Sequence, residues 1–111
     1  MTDREKKINM TFIFTRKTNI DHIPGIALVI PPLLTIQIQM AKICTEWSIP
    51  YLDLSQISKQ EDLAANIERK QPKIILMSIE DVSNPAIQSS LQLLDIKYVA
   101  VDECQVHLNH N

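Results

Sequence analysis

The chain has 111 residues, 45% of them hydrophobic and 22% charged, which is the size and mix of one small soluble globular domain. Eleven Lys and Arg stand against thirteen Asp and Glu, for a formal net charge of -2; this excludes a whole-molecule argument for nucleic-acid binding and leaves only a local patch. There is one glycine, which excludes most phosphate-cradling loops built on repeated glycine.

The first twenty residues carry five basic and two acidic side chains, and residues 1–22 are expected to form a mildly basic arm. Within it, Thr11-Phe12-Ile13-Phe14-Thr15 fits a short strand or a loose end that leans on the body of the protein. Ile26-Ala27-Leu28-Val29-Ile30 is an apolar run without alternation, as in a strand covered on both faces, and Pro31-Pro32 stops it. Leu33 to Trp47 predicts a helix, with Ile36, Met40, Ile43, Cys44 and Trp47 on one apolar face. Tyr51–Leu54 predicts a short strand. Ser58 or Gln60 is the expected cap of the next helix, with Glu61 and Asp62 in its first turn, and Gln71-Pro72 ends it. Lys73–Ser78 predicts another buried strand. Asn84-Pro85 starts a helix that runs to about Asp95, with proline in its first turn. Lys97–Val101 is the last strand, with Asp102-Glu103 at its carboxyl end.

Strands and helices therefore alternate, which predicts an α/β fold: a parallel sheet with helical crossovers. Ligands bind such sheets beyond the carboxyl ends of the strands. Three segments are expected to meet there: Pro31-Pro32, Ser78-Ile79-Glu80 and Asp102-Glu103. An aspartate at a strand end followed by a glutamate suits a magnesium site with an adjacent water-polarising base, although a solvated strand end gives the same text.

Other candidates point to bland roles. Cys104, His107 and His110 are close enough for a zinc reading, but a frayed terminus (106–111) explains them more simply. Cys44 and Cys104 are too far apart to make a metal pair, and they fit reduced intracellular thiols. Asp53 and Asp81 end strands or turns and are expected to be solvated. Trp47 is expected in the core. The charged start, Met1 to Lys7, does not fit a signal peptide. The apolar run around Ile26–Leu34 is far short of the ~20 residues that cross a bilayer. A soluble intracellular protein with no membrane partner is expected.

Three segments carry a resemblance. Gly25 to Met40, with Pro32-Leu33 and the glutamines Gln37 and Gln39, resembles the strand, Ser-Pro-Leu turn and glutamine-bearing helix of RecQ-type ATP-dependent DNA helicases (superfamily 2, DEAD/DEAH-like). Lys73 to Glu80 is similar to that family's strand ending in Thr-Pro-Glu. Ile96 to Gln105 is similar to its Asp-Glu-Ala/Cys-His box. Order and spacing agree over about residues 23–105, which the resemblance makes a partial RecA-like P-loop NTPase domain.

The resemblance implies ATP and Mg2+ as cofactors and single-stranded or forked DNA as partner in 3'-5' unwinding. It makes Asp102 the magnesium ligand and Glu103 the residue that activates water. Gln105 stands at the position of a histidine that links hydrolysis to DNA. Pro32, Gln37, Gln39, Ser78 and Glu80 fall at positions near the single strand, where Ser78 would donate a hydrogen bond to a phosphate. A eukaryotic relative would work in the nucleus.

The chain also departs from the family. Pro31 replaces a serine or threonine, and Ile79 replaces a proline. Lys17-Thr18 matches only the last letters of a P-loop, with no glycine before it to let backbone approach phosphate. The second motor domain has no counterpart in these residues. The chain is therefore not expected to hydrolyse ATP or unwind DNA alone. Two readings stand: an ATPase-domain fragment of a RecQ-type helicase, or a non-catalytic helicase-derived module that binds nucleic acid or protein, with self-association through an incomplete sheet edge as one form. An unrelated small α/β domain is the third, plainer reading.

Overall fold

The computed structural model describes residues 6–57 and 62–101. It shows a five-stranded sheet in the order β1-β5-β2-β4-β3, with every neighbouring pair parallel. The strands are β1 Lys6–Asn9, β2 Ile26–Ile30, β3 Tyr51–Asp53, β4 Ile74–Leu76 and β5 Ile96–Val101. The helices are α1 Met10–Ile13, α2 Lys17–Asp21, α3 Leu34–Glu46, α4 Leu63–Lys70, α5 Ile79–Val82 and α6 Pro85–Gln92, with one 3-10 turn at Leu54–Gln56.

The chain moves outward from β1 through β2 to β3, leaving gaps, and returns through β4 and β5 to fill them. Successive residues of β2 serve opposite faces. Ala27 and Val29 join Met10, Ile13, Ile20, Met40 and Cys44 in one core, under α1, α2 and α3. Leu28 and Ile30 join Leu52, Ile67, Ile75, Met77 and Val99 in the other, under α4 and, at its margin, α5 and α6. Helices on one face for the outward path and on the opposite face for the return are what right-handed crossovers require. Because both faces are covered, the inner strands are apolar without alternation.

Thr11–Thr15 is not a strand. Asn9 caps a single helical turn there, its Oδ1 accepting from Phe12 N at 3.0 Å, and Met10 and Ile13, three residues apart, both turn into the core. The strand lies just before, at Lys6–Asn9, on the sheet edge beside β5. Ile20 and Ile23 are also buried, so the segment before Gly25 is packed into the first core.

α4 begins later than expected. Asp62 is its cap, accepting from Ala64 N at 3.0 Å and Ala65 N at 3.4 Å, while the expected caps Ser58 and Gln60 lie outside the described residues. Arg69 and Lys70 stand in its last turn, where positive charge meets the negative end of the helix dipole. α3 closes with a Schellman pair: Ile49 N donates to Cys44 O at 2.8 Å and Ser48 N to Thr45 O at 3.2 Å, with Ser48 left-handed at φ 57°.

Gly25 enters β2 at φ +79°. A Cβ there would sit 2.7 Å from Lys97 Cγ and 3.0 Å from the Asp95 carbonyl oxygen, the same oxygen that accepts from Ile26 N at 3.3 Å. Lys97 can swing aside, but the carbonyl is backbone. Gly25→Ala is therefore expected to destabilise the fold by about 1–3 kcal/mol, read as a lower urea midpoint. An unchanged midpoint would contradict this account of the turn.

Candidate functional site

The registers bring the carboxyl ends of the three central strands level. Ile30 lies beside Val101, and Val29 lies beside Leu76. α3 leaves β2 toward one face, whereas α5 and α6 follow β4 on the opposite face. Two adjacent strands whose connections part in this way open a crevice at their carboxyl ends. The segments that this topology would set on its two sides, as its lips, are Pro31-Pro32-Leu33, which follow β2, and Ser78-Ile79-Glu80, which follow β4.

Pro31 is buried and Pro32 half-buried, and the chain bends at Pro32 and Leu33. Leu33 is 61% exposed, and the chain turns there into α3. On the other lip, Ser78 caps α5 in a reciprocal box. Asp81 N donates to Ser78 Oγ at 3.1 Å, and Ser78 N donates to Asp81 Oδ2 at 3.1 Å. The Ser78 hydroxyl is used there as an acceptor, so its own proton remains to donate outward. Glu80 and Ile79 are exposed beside it.

The two glutamines of α3 separate. Gln39 is exposed. Gln37 is 2% exposed, and its Nε2 donates to Asp53 Oδ1 at 2.7 Å. Asp53 is not solvated. It is 5% exposed at the end of β3, and the same Oδ1 also accepts from Ser55 N at 3.0 Å and Ser55 Oγ at 2.7 Å. Asp81 is half-buried in the capping box rather than freely solvated. No spacing rule pairs Gln37 with Asp53, sixteen residues apart. Only the arrival of α3 beside β3 does so.

Lys17 and Thr18 do not join the crevice lips. Both are exposed on α2, a five-residue helix without a side-chain cap, and Lys17 Nζ pairs with Asp21 Oδ2 at 3.1 Å. Asp102, Glu103 and Gln105 lie outside the described residues, as do Cys104, His107 and His110. Among the described residues, no group of three His, Cys, Asp or Glu side chains is placed to hold a metal ion, and no helix is long and apolar enough to cross a membrane.

A second concavity was not anticipated. It lies at the opposite, amino edge of the sheet, between α4 and α6, with a volume of about 470 Å³ and walls that include Ile26, Ile67, Glu68 and Leu93. Its residues come from segments that are unremarkable singly, and only the packing of the two helices makes a groove of them.

No family model, curated protein or solved structure matches this chain.

Cys44 is fully buried in the first core, and burial pushes its thiol up to about 12, so it stays neutral and unreactive at ordinary pH. In a Cys104→Ser protein, Cys44 is expected to resist a water-soluble thiol reagent at pH 8 until denaturant is added. Stoichiometric labelling of the native protein would contradict the packing of α3.

Proposed function

We propose that the chain is a partial RecA-like motor domain of the RecQ-type helicase kind, and that by itself it binds single-stranded DNA without hydrolysing ATP. The observation that carries this reading is the adjacency of β5, β2 and β4. The strands that lead into the three segments resembling helicase motifs are these neighbours, in level register as far as Val101; Asp102 to Gln105 lie outside the described residues.

The lips supply donors of the kind that hold a phosphate backbone without reading bases, the Ser78 hydroxyl and the Leu33 N–H, and Gln39 adds an exposed amide farther along α3. Glu80 adds a negative charge, so affinity rests on these few groups and is modest. Gln37, being enclosed, supports the turn rather than touching a ligand.

ATP and Mg2+ belong to the resemblance, through Lys17, Thr18, Asp102 and Glu103. The residues around Lys17 do not fit a triphosphate: no glycine precedes Gly25, and the lysine is engaged by Asp21. We therefore assign no hydrolytic step to this chain alone. A nuclear site of action and a forked substrate belong to the same proposal. A second reading, docking of a protein partner or a second copy, is favoured by the exposed Leu33, Leu34, Ile38 and Ile79 around the same edge.

The test is fluorescence anisotropy with a labelled oligothymidylate at low salt. The expected result is saturable binding in the ~1–100 µM range that weakens as salt rises, with no ATP hydrolysis stimulated by the oligonucleotide. Glu80→Gln is expected to tighten binding about twofold by removing a like charge. Absence of binding at 1 mM protein (about ten times the weakest expected constant) would overturn the reading.

A further inference from the structure

We infer that Asp53 and Gln37 act as positioning residues for the β2–α3 turn, setting one lip of the crevice although neither side chain is open to solvent. The expected effect on DNA rests on the reading above; the positioning itself does not.

α3 has no side-chain cap at its amino end. Leu33 precedes α3 and offers no side-chain oxygen to its first amides, so this end of the helix lacks the usual device against fraying. Its first turn is closed instead by Ile36 N and Gln37 N, which both donate to Leu33 O at 3.1 Å. Gln37 is then fixed from the side, because its Nε2 reaches Asp53 Oδ1 at 2.7 Å in a buried setting. Ser55 holds that carboxylate from the other side through Oγ at 2.7 Å and N at 3.0 Å.

A continuous path of short bonds therefore runs from the end of β3, through Asp53 and Gln37, to the Leu33 carbonyl. A hydrogen bond to a charged acceptor holds geometry more firmly than a neutral one, and more firmly still where water is excluded. An apolar pair of similar volume would fill the same space at little cost in stability, but it would leave the turn free to shift. The network thus acts on where Pro32 and Leu33 stand more than on whether the protein folds.

The test uses Gln37→Met, which keeps an unbranched side chain of similar length, with Gln37→Leu as a second variant should the first fold poorly. Amide hydrogen exchange and oligothymidylate anisotropy are measured on each, beside Asp53→Asn, whose amide oxygen can still accept from Gln37. Gln37→Met leaves Asp53 buried with one donor fewer, so some global loss of stability is expected. The expectation is exchange at residues 36 and 37 accelerated about tenfold beyond any common increase at Ile67 and Leu76, and oligothymidylate affinity weakened about fivefold. Asp53→Asn keeps an acceptor for Gln37 but loses the charge, and is expected to fall between the original protein and Gln37→Met on both readouts. Unchanged exchange at residues 36 and 37 overturns the inference; faster exchange with unaltered affinity upholds the positioning and overturns its effect on DNA. If the unsubstituted protein does not bind the oligonucleotide, the DNA reading fails, and exchange at residues 36 and 37 alone decides the positioning claim.

Discussion

Everything in this molecule depends on β2 lying between β5 and β4. That strand donates alternate side chains to both cores and stands at the middle of the floor that β4 and β5 extend on either side. Its register with both neighbours also levels the carboxyl edge. The crevice is therefore a by-product of burying five apolar residues from both sides. The path of the chain then decides which segments border it: an outward leg covered on one face and a return leg covered on the other force α3 and α5 apart where β2 and β4 meet.

Packing alone does not fix the lips of that crevice. On the β4 side, the Ser78–Asp81 box holds the turn locally, within four residues of sequence. On the β2 side no such local device exists, and the turn is tied to β3 by the buried Gln37–Asp53 bond. The two lips thus differ in kind. One is secured by its own residues, and the other depends on tertiary contact, so the β2 lip is the one that distant substitutions can move. A carboxylate buried with three donors on one oxygen is costly to desolvate, which makes this small network more consequential for geometry than its size suggests.

Much of this architecture was legible because burial on both faces leaves a plain mark. The runs Ile26–Ile30 and Ile74–Leu76 have no alternation and end at Pro31-Pro32 and Ser78, and α3 shows its apolar face at spacings of three and four. What escaped notice was held by polar or edge residues. β1, with Lys6, Lys7 and Asn9, is an edge strand whose text carries little hydrophobic signal. α1 and α5 are single turns, set by the Asn9 and Ser78 caps rather than by periodicity. In the candidate site, Ser78, Glu80 and Pro32 stand where strand-end reasoning put them. Gln37 and Asp53 could not be separated from solvated neighbours by sequence, because their partnership spans two elements. The Asp102-Glu103 pair lies outside the described residues.

The most direct test of the central claim is a two-dimensional amide NMR titration of the isotope-labelled protein with oligothymidylate. The account predicts shifts concentrated on Leu33, Thr35, Gln39, Ser78 and Glu80, with the amino-edge groove at Gly25, Gln71 and Leu93 silent. Shifts centred on that groove instead, or no shifts at saturating oligonucleotide, would contradict it.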